Sequence, residues 1–526
     1  MKVLLVYPKN PEGNFWYFDK ISRKFLTNFK FLKFLLRFLL GALIKRASGW
    51  KSIRKKGKAT FPPLGLLTVA SMLPKAWELK LIDENVTRLL DSDIQETDMV
   101  FISAMLVQQK SAEQIIQTCK TYDKIVVAGG PLFSGLPDRF LDVDHIIIGE
   151  AENTLPLFLK DLEKKELKRI YKSEERPSLD TSPVPLWRLI NLKDYVTLST
   201  QFSRGCPFNC EFCDITATFG KRVRTKSTEQ FLSELQVIYD AGYRGSIFFV
   251  DDNLIGNKQR AKEMLKKLSA WQKKRKYPLV ILTQVSLNLA EDDNLIEQLV
   301  EANVGKVFIG IESPNPENLK ACGKTQNINV NMISAVKKLL NHGLQVMGGF
   351  VYGFDNDNHQ TCDSLIRFIQ NSGIVSAMPA ILTVLPGTQL EERLQRENRL
   401  LGESNGGSQK DIGINFIPRN NNVKELLENY YRLIKTIYQR KNYHRRINIF
   451  LKHYKHRVKG QKISWTDLTA FIKSVLYVGM FSKDCFYYWK VVFRLIFSKK
   501  IRVFPLIIEM MIVGRHYQNV ANQKRV

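Results

Sequence analysis

Cysteine and histidine are both scarce in this chain, with 7 of each among 526 residues. Four of the cysteines stand singly and far apart, which is not the pattern of a disulfide framework: Cys119, Cys322, Cys362 and Cys485. No histidine lies between His145 and His342. The cysteine usage predicts a reducing, cytoplasmic location. The length predicts about two or three domains.

Acidic residues are missing from two long stretches of an otherwise globular composition. Hydrophobic residues make up 44% of the chain and charged residues 25%. Lys and Arg number 79 against 51 Asp and Glu, so the net charge is +28. Residues 20–58 contain 13 Lys or Arg and no acid, and residues 432–462 also lack acids. This balance favours an acidic partner, such as nucleic acid, an anionic lipid or a phosphorylated substrate.

A hydrophobic run long enough to span a bilayer is also absent from the first basic stretch. Lys30, Lys33 and Arg37 interrupt the apolar segment 25–47 at helical spacings, and the uncharged run 38–44 falls far below the ~18 residues that a span needs. The segment therefore predicts a basic amphipathic helix on an anionic membrane surface. A solvated basic face on ordinary packed helices remains the alternative. Residues 491–514 repeat the basic and apolar character.

The first 160 residues alternate short apolar runs with segments of helical length. The predicted strands are 2–7, 79–83, 98–105, 123–130 and 144–150. This order predicts an α/β, doubly wound (Rossmann-like) parallel sheet that binds ligands at the carboxyl ends of its strands. The small or acidic residues that follow three of those strands are Ser103, Gly129, Gly130, Gly149 and Glu150. No G-x-G-x-x-G follows the first strand, which argues against a dinucleotide site.

Residues 196–390 alternate strand and helix again. Six apolar runs occupy 195–205, 245–253, 279–288, 306–315, 344–354 and 376–387. Six such units predict a partial (β/α)6 barrel, with its active site at the carboxyl ends of the strands. The chain's one cysteine cluster, in SRGCPFNCEFCDI (203–215), follows the first of these strands.

The cluster has the spacing C-x3-C-x2-C, formed by Cys206, Cys210 and Cys213. A structural zinc site wants four protein ligands, and no histidine is close in sequence to supply the fourth. An iron–sulfur cluster is bound by thiolates, and three of them leave one iron open to another ligand. The residues alone favour a cluster over zinc.

Together with Phe212 before the last cysteine, this spacing resembles the radical S-adenosylmethionine (SAM) superfamily, in which SAM chelates the open iron of a 4Fe–4S cluster. The segments FPPLGLLTVASMLP (61–74) and VVAGGP…IIIGEAENTLP (126–156) resemble the cobalamin-binding (B12-binding) domain that precedes many radical SAM domains. Residues 414–446 resemble the subgroup of the hopanoid C-2 methylases. The implied domains are 1–160, B12-binding with the basic insertion 20–58; 161–191, a linker; 192–400, the radical SAM core; and 401–526, a basic helical region.

The resemblance also implies three sets of site residues. The cluster ligands are Cys206, Cys210 and Cys213. The residues assigned to SAM are Phe212, Asp251, Asp252, Asn253, Glu312, Gly348 and Gly353. Those assigned to cobalamin are Ser103, Gly129, Gly130, Gly149 and Glu150. The D-x-H-x-x-G motif of histidine-ligated corrinoid domains is missing after the first strand, so we expect a lower cobalamin face without a histidine ligand.

The implied activity is cobalamin-dependent radical SAM methyl transfer to an unactivated carbon of a lipid or other hydrophobic substrate. A reductase or a flavodoxin or ferredoxin would supply electrons, and we expect a cytoplasmic protein, peripheral on the inner face of the membrane. The alternatives are a radical SAM enzyme acting on RNA or a soluble metabolite, and a membrane-associated scaffold without catalysis. RNA-modifying methylthiotransferases carry a second three-cysteine cluster upstream, whereas only Cys119 precedes Cys206 here. No specific nucleic acid is therefore expected.

Overall fold

The computed structural model describes residues 1–11, 59–402, 404, 413–420, 422–460, 472, 474–480, 485–498 and 500–523. The described residues divide into two compact units. The first runs from Met1 to Pro177 and from Thr181 to Ser199, and the second holds Ser178–Asp180 and the chain from Thr200 onward. The predicted basic insertion 20–58, with Lys30, Lys33 and Arg37, lies outside the described residues.

The first unit is built on a six-stranded sheet whose strand pairs are all parallel. Its strands are β1 (Lys2–Tyr7), β2 (Glu78–Asp83), β3 (Met99–Ser103), β4 (Ile125–Gly129), β5 (His145–Ile147) and β6 (Ile170–Tyr171), in the order β2-β1-β3-β4-β5-β6. Its helices are α1 (Leu64–Met72), α2 (Asp91–Gln95), α3 (Gln109–Thr121), α4 (Pro131–Gly135) and α5 (Ala151–Lys164). The doubly wound sheet expected from the sequence is confirmed, and β6 falls within the predicted linker 161–191.

Alternation along the strands gives this sheet a core on each face. Leu4 and Val6 of β1 belong to one apolar cluster, and Val3 and Leu5 belong to the other. A parallel sheet covered on both faces needs strands that are apolar at successive positions, which is the composition of β1. β2 lies on one side of β1, whereas β3 and the later strands lie on the other side. The direction of strand addition therefore changes between β1 and β3, and the crevice beyond their carboxyl ends is the switch point where such sheets bind ligands.

The second unit contains another six-stranded sheet, which is open at both ends and has the order β14-β13-β12-β11-β10-β7. These strands are β7 (Leu198–Thr200), β10 (Gly245–Phe249), β11 (Leu279–Gln284), β12 (Val304–Glu312), β13 (Gln345–Tyr352) and β14 (Ala377–Ile381); a short antiparallel ribbon consists of β8 (Ser203–Arg204) and β9 (Arg224–Thr225). The helices up to the last strand are α6 (Ile215–Thr218), α7 (Thr228–Asp240), α8 (Lys258–Lys274), α9 (Asp293–Glu301), α10 (Pro316–Ala321), α11 (Met332–Asn341) and α12 (His359–Ser372). The predicted succession of six strands is confirmed.

Helices follow the last strand: α13 (Gln389–Arg396), α14 (Val423–Tyr438), α15 (Arg440–His453), α16 (Cys485–Phe497) and α17 (Phe504–Gln523). The wholly buried guanidinium of Arg446 in α15 donates to the carbonyl oxygen of Ile437 (2.5 Å) and lies over the rings of Tyr438 and Tyr443. These contacts fix the turn between α14 and α15, because a buried guanidinium needs acceptors and favours aromatic faces. Among the described helices, none is both long enough and apolar enough to cross a membrane.

The stability of the C-terminal helices should depend on the ionisation of His444 in α15. Its buried ring stacks on Tyr487 of α16, with centroids 4.6 Å apart. Burial lowers the pKa of His444 from 6.5 to about 4. Below pH 6.5 the unfolded chain binds a proton that the folded chain excludes, so we expect a loss of up to about 3 kcal/mol of unfolding free energy between pH 6.5 and pH 4.

The variant H444F should lose this dependence. Urea unfolding at several pH values checks this. As the pH falls from 6.5 to 4, the unfolding free energy of the wild type should decrease relative to that of H444F. The control is H359F, since His359 is exposed on α12. A wild-type–H444F difference that stays constant from pH 7 to pH 4 would contradict the expectation.

Candidate active site

The three clustered cysteines lie in one segment, residues 205–223, which we call the cysteine loop. It connects β8 to β9 and so leaves the sheet just after β7. Cys206 and Cys213 are half-buried, Cys210 is buried, and all three are free thiols. The amide of Cys213 donates to the carbonyl oxygen of Cys210 (3.1 Å), and that of Cys206 donates to Gly220 (3.2 Å). The loop has little regular structure, so contacts from other elements must hold it in place.

The first set of contacts comes from the end of β10. Asp251 is fully buried and accepts hydrogen bonds from the amide and the hydroxyl of Ser203, the latter at 2.6 Å. The amide of Gly205 donates to Asp252 Oδ2 at 2.8 Å. Burial raises the pKa of Asp251 to about 7, although the hydrogen bonds from Ser203 act in the opposite direction. The two carboxylates therefore tie β8 and the start of the cysteine loop to the sheet.

This arrangement changes one expectation from the sequence. Asp251 is predicted as an acceptor for the SAM ammonium, but its carboxylate is sealed inside and already accepts bonds from the chain. Asn253 differs, because its side-chain nitrogen donates to Ser286 Oγ (3.1 Å) while its buried Oδ1 has no partner among the described residues. Asn253 also lies against Cys206, since its side-chain hydrogen bond lowers the pKa of that thiol while burial raises it.

The second set of contacts follows α10. The carbonyl oxygen of Cys322 accepts from the amide of Glu211 in the cysteine loop at 3.0 Å. Gly323 has φ = +73°, and a Cβ there would stand 2.6 Å from the carbonyl oxygen of Asn209. Only glycine fits this close approach. The following residue, Lys324, is thereby held beside the cysteines.

Lys324 forms a largely buried ion pair with Glu312, with Nζ and Oε1 2.8 Å apart. Burial alone lowers the pKa of Lys324, but the charges of Glu312, Cys210 and Cys213 outweigh it and raise the pKa overall. The ion pair with Glu312 therefore favours the charged form of the ammonium. Sequence reasoning misses Lys324, because a single lysine after a short helix looks like any surface lysine.

Glu312 occupies a strained backbone position at the end of β12. Its φ is +62°, in the left-handed region that residues with a side chain rarely adopt, and the register between β12 and β13 shifts there. Such a conformation costs on the order of 1 kcal/mol or more and is concentrated at functional sites. Gly310 leaves room for the ion pair in this position, because a Cβ there would lie 2.3 Å from Glu312 Oε1 and 2.9 Å from Lys324 Nζ.

The third set of contacts involves α13. Arg393 binds both carboxylate oxygens of Glu211 at 3.0 Å and Asp355 Oδ2 at 2.8 Å. This is the bidentate geometry that makes arginine–carboxylate pairs specific. Phe212 packs edge-on against Phe354, with ring centroids 6.0 Å apart. The aromatic residue of the motif therefore anchors the cysteine loop to an apolar cluster.

The electrostatics of the thiols are dominated by burial. It raises the pKa of Cys206, Cys210 and Cys213, the last to about 12, while the charge of Lys324 lowers those of Cys206 and Cys210. The thiolate forms thus need a further positive group beside them. Within the part of the chain that the structure describes, no three His, Cys, Asp or Glu side chains converge on one metal ion.

The two predicted glycines of β13 and its following loop have different surroundings. A Cβ at Gly348 would meet the ring of Phe350 at 2.9 Å and Ile374 at 3.1 Å, so its space is filled by packing. Gly353 has φ = +121°, and its amide donates to the buried carboxylate of Asp357 at 2.8 Å. Asp357 therefore fixes the conformation of the loop after β13, whereas Gly348 makes room for the packing of Phe350 and Ile374 in the core.

In the first unit, the residues predicted to bind cobalamin lie at the carboxyl edge of the sheet. A Cβ at Gly130 would stand 2.8 Å from Ser103 Oγ, so the ends of β3 and β4 meet closely. Gly129 lies beside β5, with its Cβ position 3.3 Å from the carbonyl oxygen of Ile147. Gly149 has φ = +82° and open space around its Cβ position, and the largely buried Glu150 precedes α5. The structure therefore places all five residues on one edge.

Replacing Gly310 by alanine should disrupt the Glu312–Lys324 pair. The added methyl group displaces the ends of both paired side chains, and because these ends are flexible, the cost should lie at the lower end of the about 1–3 kcal/mol typical of overpacking. We expect G310A to lower the unfolding free energy in denaturant titrations by that amount. The control G65A lies in α1 with nothing within 4 Å of the added Cβ, and should be neutral or up to about 1 kcal/mol more stable. Equal stability of G310A and the wild type would show that the pair tolerates the methyl group.

Comparison with known families divides the chain into three matched regions. Residues 51–159 match the B12 binding domain, residues 200–369 match the radical SAM superfamily, and residues 388–526 match a domain of unknown function, DUF4070.

Two curated relatives cover most of this sequence. An uncharacterized methyltransferase of Synechocystis sp. is 39% identical over 420 residues, which are 80% of this chain and 73% of the relative. The hopanoid C-2 methylase of Rhodopseudomonas palustris is 34% identical over 358 residues, which are 67% of this chain and 68% of the relative.

Solved structures share the fold at low sequence identity. The radical SAM methyltransferase TsrM of Kitasatospora setae, with cobalamin and a 4Fe–4S cluster bound, has a TM-score of 0.60 at 13% identity and covers 99% of each chain. The cobalamin-dependent radical SAM enzyme OxsB has a TM-score of 0.60 at 16% identity, covering 99% of this chain and 79% of its own. The chain therefore belongs to the B12-binding radical SAM methyltransferases, enzymes that use a 4Fe–4S cluster, SAM and cobalamin.

Proposed function

We propose that this enzyme methylates an unactivated carbon of a lipid or another hydrophobic substrate. The observation that carries the proposal is the cysteine loop itself: three free thiols in one loop, fixed from three sides and placed beside a buried ammonium group. A carbon without an acidic proton offers general acid–base residues nothing to act on, which fits a site built around thiols.

The donor set fits an iron–sulfur cluster. Three free thiols in one loop fit a cluster in which each thiolate binds a separate iron. The burial that raises the pKa of these thiols is offset when a cationic cluster binds their sulfurs. We assign Cys206, Cys210 and Cys213 as the ligands.

The surroundings of the cysteine loop fit an amino-acid group such as that of SAM. Asn253 Oδ1 is a buried acceptor without a partner among the described residues, and it suits an ammonium. Lys324 and Glu312 hold a positive and a negative charge at fixed positions for the carboxylate, the ammonium or the ribose. Gly353 and its loop remain our candidates for the adenine, with Asp357 shaping the loop. Asp251 and Asp252 act as positioning residues.

The carboxyl edge of the first sheet fits a corrinoid with a long tail. Gly149 leaves open space where a side chain would stand, and Ser103 with Gly129 and Gly130 presents small groups and backbone beside it. Glu150 closes this edge at the start of α5. The residues between β1 and α1 include no histidine, so we propose that the lower face of cobalamin lacks a histidine ligand.

When bound, the three cofactors together supply the reducing electron, the hydrogen abstraction and the methyl group. The chain's own residues hold them and exclude water: the carboxylates of Asp251 and Asp252 fix the cysteine loop, and Arg393 closes it from α13 through Glu211. Phe212 packs on the apolar cluster beneath, which keeps the loop from moving away from the sheet.

The relatives support a hydrophobic substrate. One is named for a hopanoid, and a bacteriochlorophyllide d C-12(1)-methyltransferase of Chlorobaculum tepidum is 24% identical over 418 residues. We propose the domain division 1–160, 161–191, 192–400 and 401–526, a reductase or a flavodoxin or ferredoxin as electron donor, and a cytoplasmic location on the inner face of the membrane. The 13 basic residues of 20–58 support contact with an anionic lipid surface.

The cysteine assignment predicts that anaerobically reconstituted protein binds about four irons per chain. The variants C206A, C210A and C213A should each lower the iron content and abolish SAM cleavage, measured as the release of 5′-deoxyadenosine. The control is C362A, since Cys362 is a buried free cysteine of α12 that lies outside the cysteine loop. Full SAM cleavage in the triple alanine variant would reject the assignment.

The substrate class predicts where a labelled methyl group appears. The enzyme, its reductant, cobalamin and methyl-labelled SAM are incubated with a whole-cell extract, which holds lipids, RNA and soluble metabolites, from cells that lack the gene, and the products are then separated into organic and aqueous phases. We expect label in the organic phase with the wild type and none with C206A. Label found only in the aqueous phase or in RNA would reject a hydrophobic substrate and leave the methyltransferase assignment intact.

A further inference from the structure

Helix α16 has an exposed aromatic face. Phe486, Phe493 and Phe497 are 70%, 51% and 82% exposed, and Ile496 beside them is 52% exposed. Residues four and seven positions apart lie on the same side of a helix, so the three phenylalanines form one stripe along α16. Other large exposed apolar residues, such as Leu141 and Leu401, lie outside α16.

The opposite side of α16 is packed against the protein. It contains Tyr488, Val491, Val492 and Leu495, all at most 4% exposed. Tyr488 shares a hydrogen bond with Ser474 (2.8 Å), and the indole of Trp489 donates to the carbonyl oxygen of Gly479 (2.9 Å). The helix therefore has its own apolar anchor, and the phenylalanine stripe is not needed for the core. A helix that is apolar on both sides buries one side in the protein core and needs a second apolar environment for the other side.

Basic residues border the stripe. Lys490 and Arg494 are exposed and lie one turn apart along it, and Arg494 donates to Asn448 Oδ1 at 2.8 Å. Residues 485–508 contain no Asp or Glu, and Lys500 and Arg502 follow the helix. Aromatic residues beside lysine and arginine, without acids, form the pattern of a helix that lies in the boundary of an anionic bilayer.

We propose that the stripe of Phe486, Phe493, Ile496 and Phe497, with Lys490 and Arg494 at its edge, docks on an anionic phospholipid surface. The aromatic rings enter the acyl boundary while the two cations contact the headgroups. Pairing with a second copy is disfavoured, because two basic-edged faces of a chain with a net charge of +28 would repel each other. The inference extends the proposed membrane location to α16, separately from residues 20–58, and its test needs no methyl transfer.

The test uses the full chain and vesicles of phosphatidylglycerol and phosphatidylcholine, with bound protein measured by flotation. The variant F486S/F493S/F497S should bind at least about tenfold more weakly, because the apolar area that enters the bilayer is lost. The matched control L141S/L157S/L401S removes three exposed leucines elsewhere and should bind like the wild type. Circular dichroism and iron content verify that each variant is folded.

The charge variant K490E/R494E should lose about tenfold in binding to these vesicles and little to pure phosphatidylcholine. Undiminished binding by both α16 variants would overturn the proposal. If only K30E/K33E/R37E abolishes binding, the membrane location stands and the α16 surface is wrong. A dimer that F486S/F493S/F497S dissociates without changing vesicle binding would identify the stripe as a self-association interface and overturn lipid docking.

Discussion

The buried carboxylate of Asp251 is the constraint on which the site depends. A loop that carries three thiols cannot form regular backbone pairs along its length, so its position must come from side chains. Asp251 fixes the entry of the loop through Ser203, and because Asp251 is fully buried, bulk solvent cannot take over those hydrogen bonds. Glu211 and the carbonyl oxygen of Cys322 fix the far side. The ties come from the residues after β10, from Cys322 after α10 and from Arg393 within α13, which places the thiols at the carboxyl edge of the second sheet.

The sequence predicts the strands well because both sheets are parallel and covered by helices. Their strands are short runs of apolar, often β-branched residues with helical segments between them, and few other structures have that pattern. The cysteine motif is equally visible, since its three members lie within eight residues. The ties around it are not visible in this way. Glu211 and Arg393 are 182 positions apart, and nothing in either neighbourhood indicates the other.

Glycine and acidic residues also show that a local sequence pattern does not reveal the contacts of a side chain. Gly348 and Gly353 look alike in sequence as small residues of one strand and its loop. In the structure the first makes room for Phe350 and the second turns a loop with positive φ. Asp251, Asp252 and Asn253 form one polar triplet after a strand, yet Asp251 and Asp252 accept hydrogen bonds from Ser203 and Gly205, whereas Oδ1 of Asn253 has no partner among the described residues. A local pattern identifies where polar groups stand, whereas the direction of each side chain is set by residues distant in sequence.

The ties of the cysteine loop are all contacts of protein with protein. A loop ordered by its metal would collapse once the metal left, and the protein would lose its shape together with its cofactor. Here the carboxylates, the arginine that binds Glu211 and the close contact at Gly323 join atoms of the chain itself. Damage to the cluster by oxygen should therefore leave the cysteine loop folded. An organism facing intermittent air could refill such a protein with a new cluster and would not need to synthesise the whole chain again.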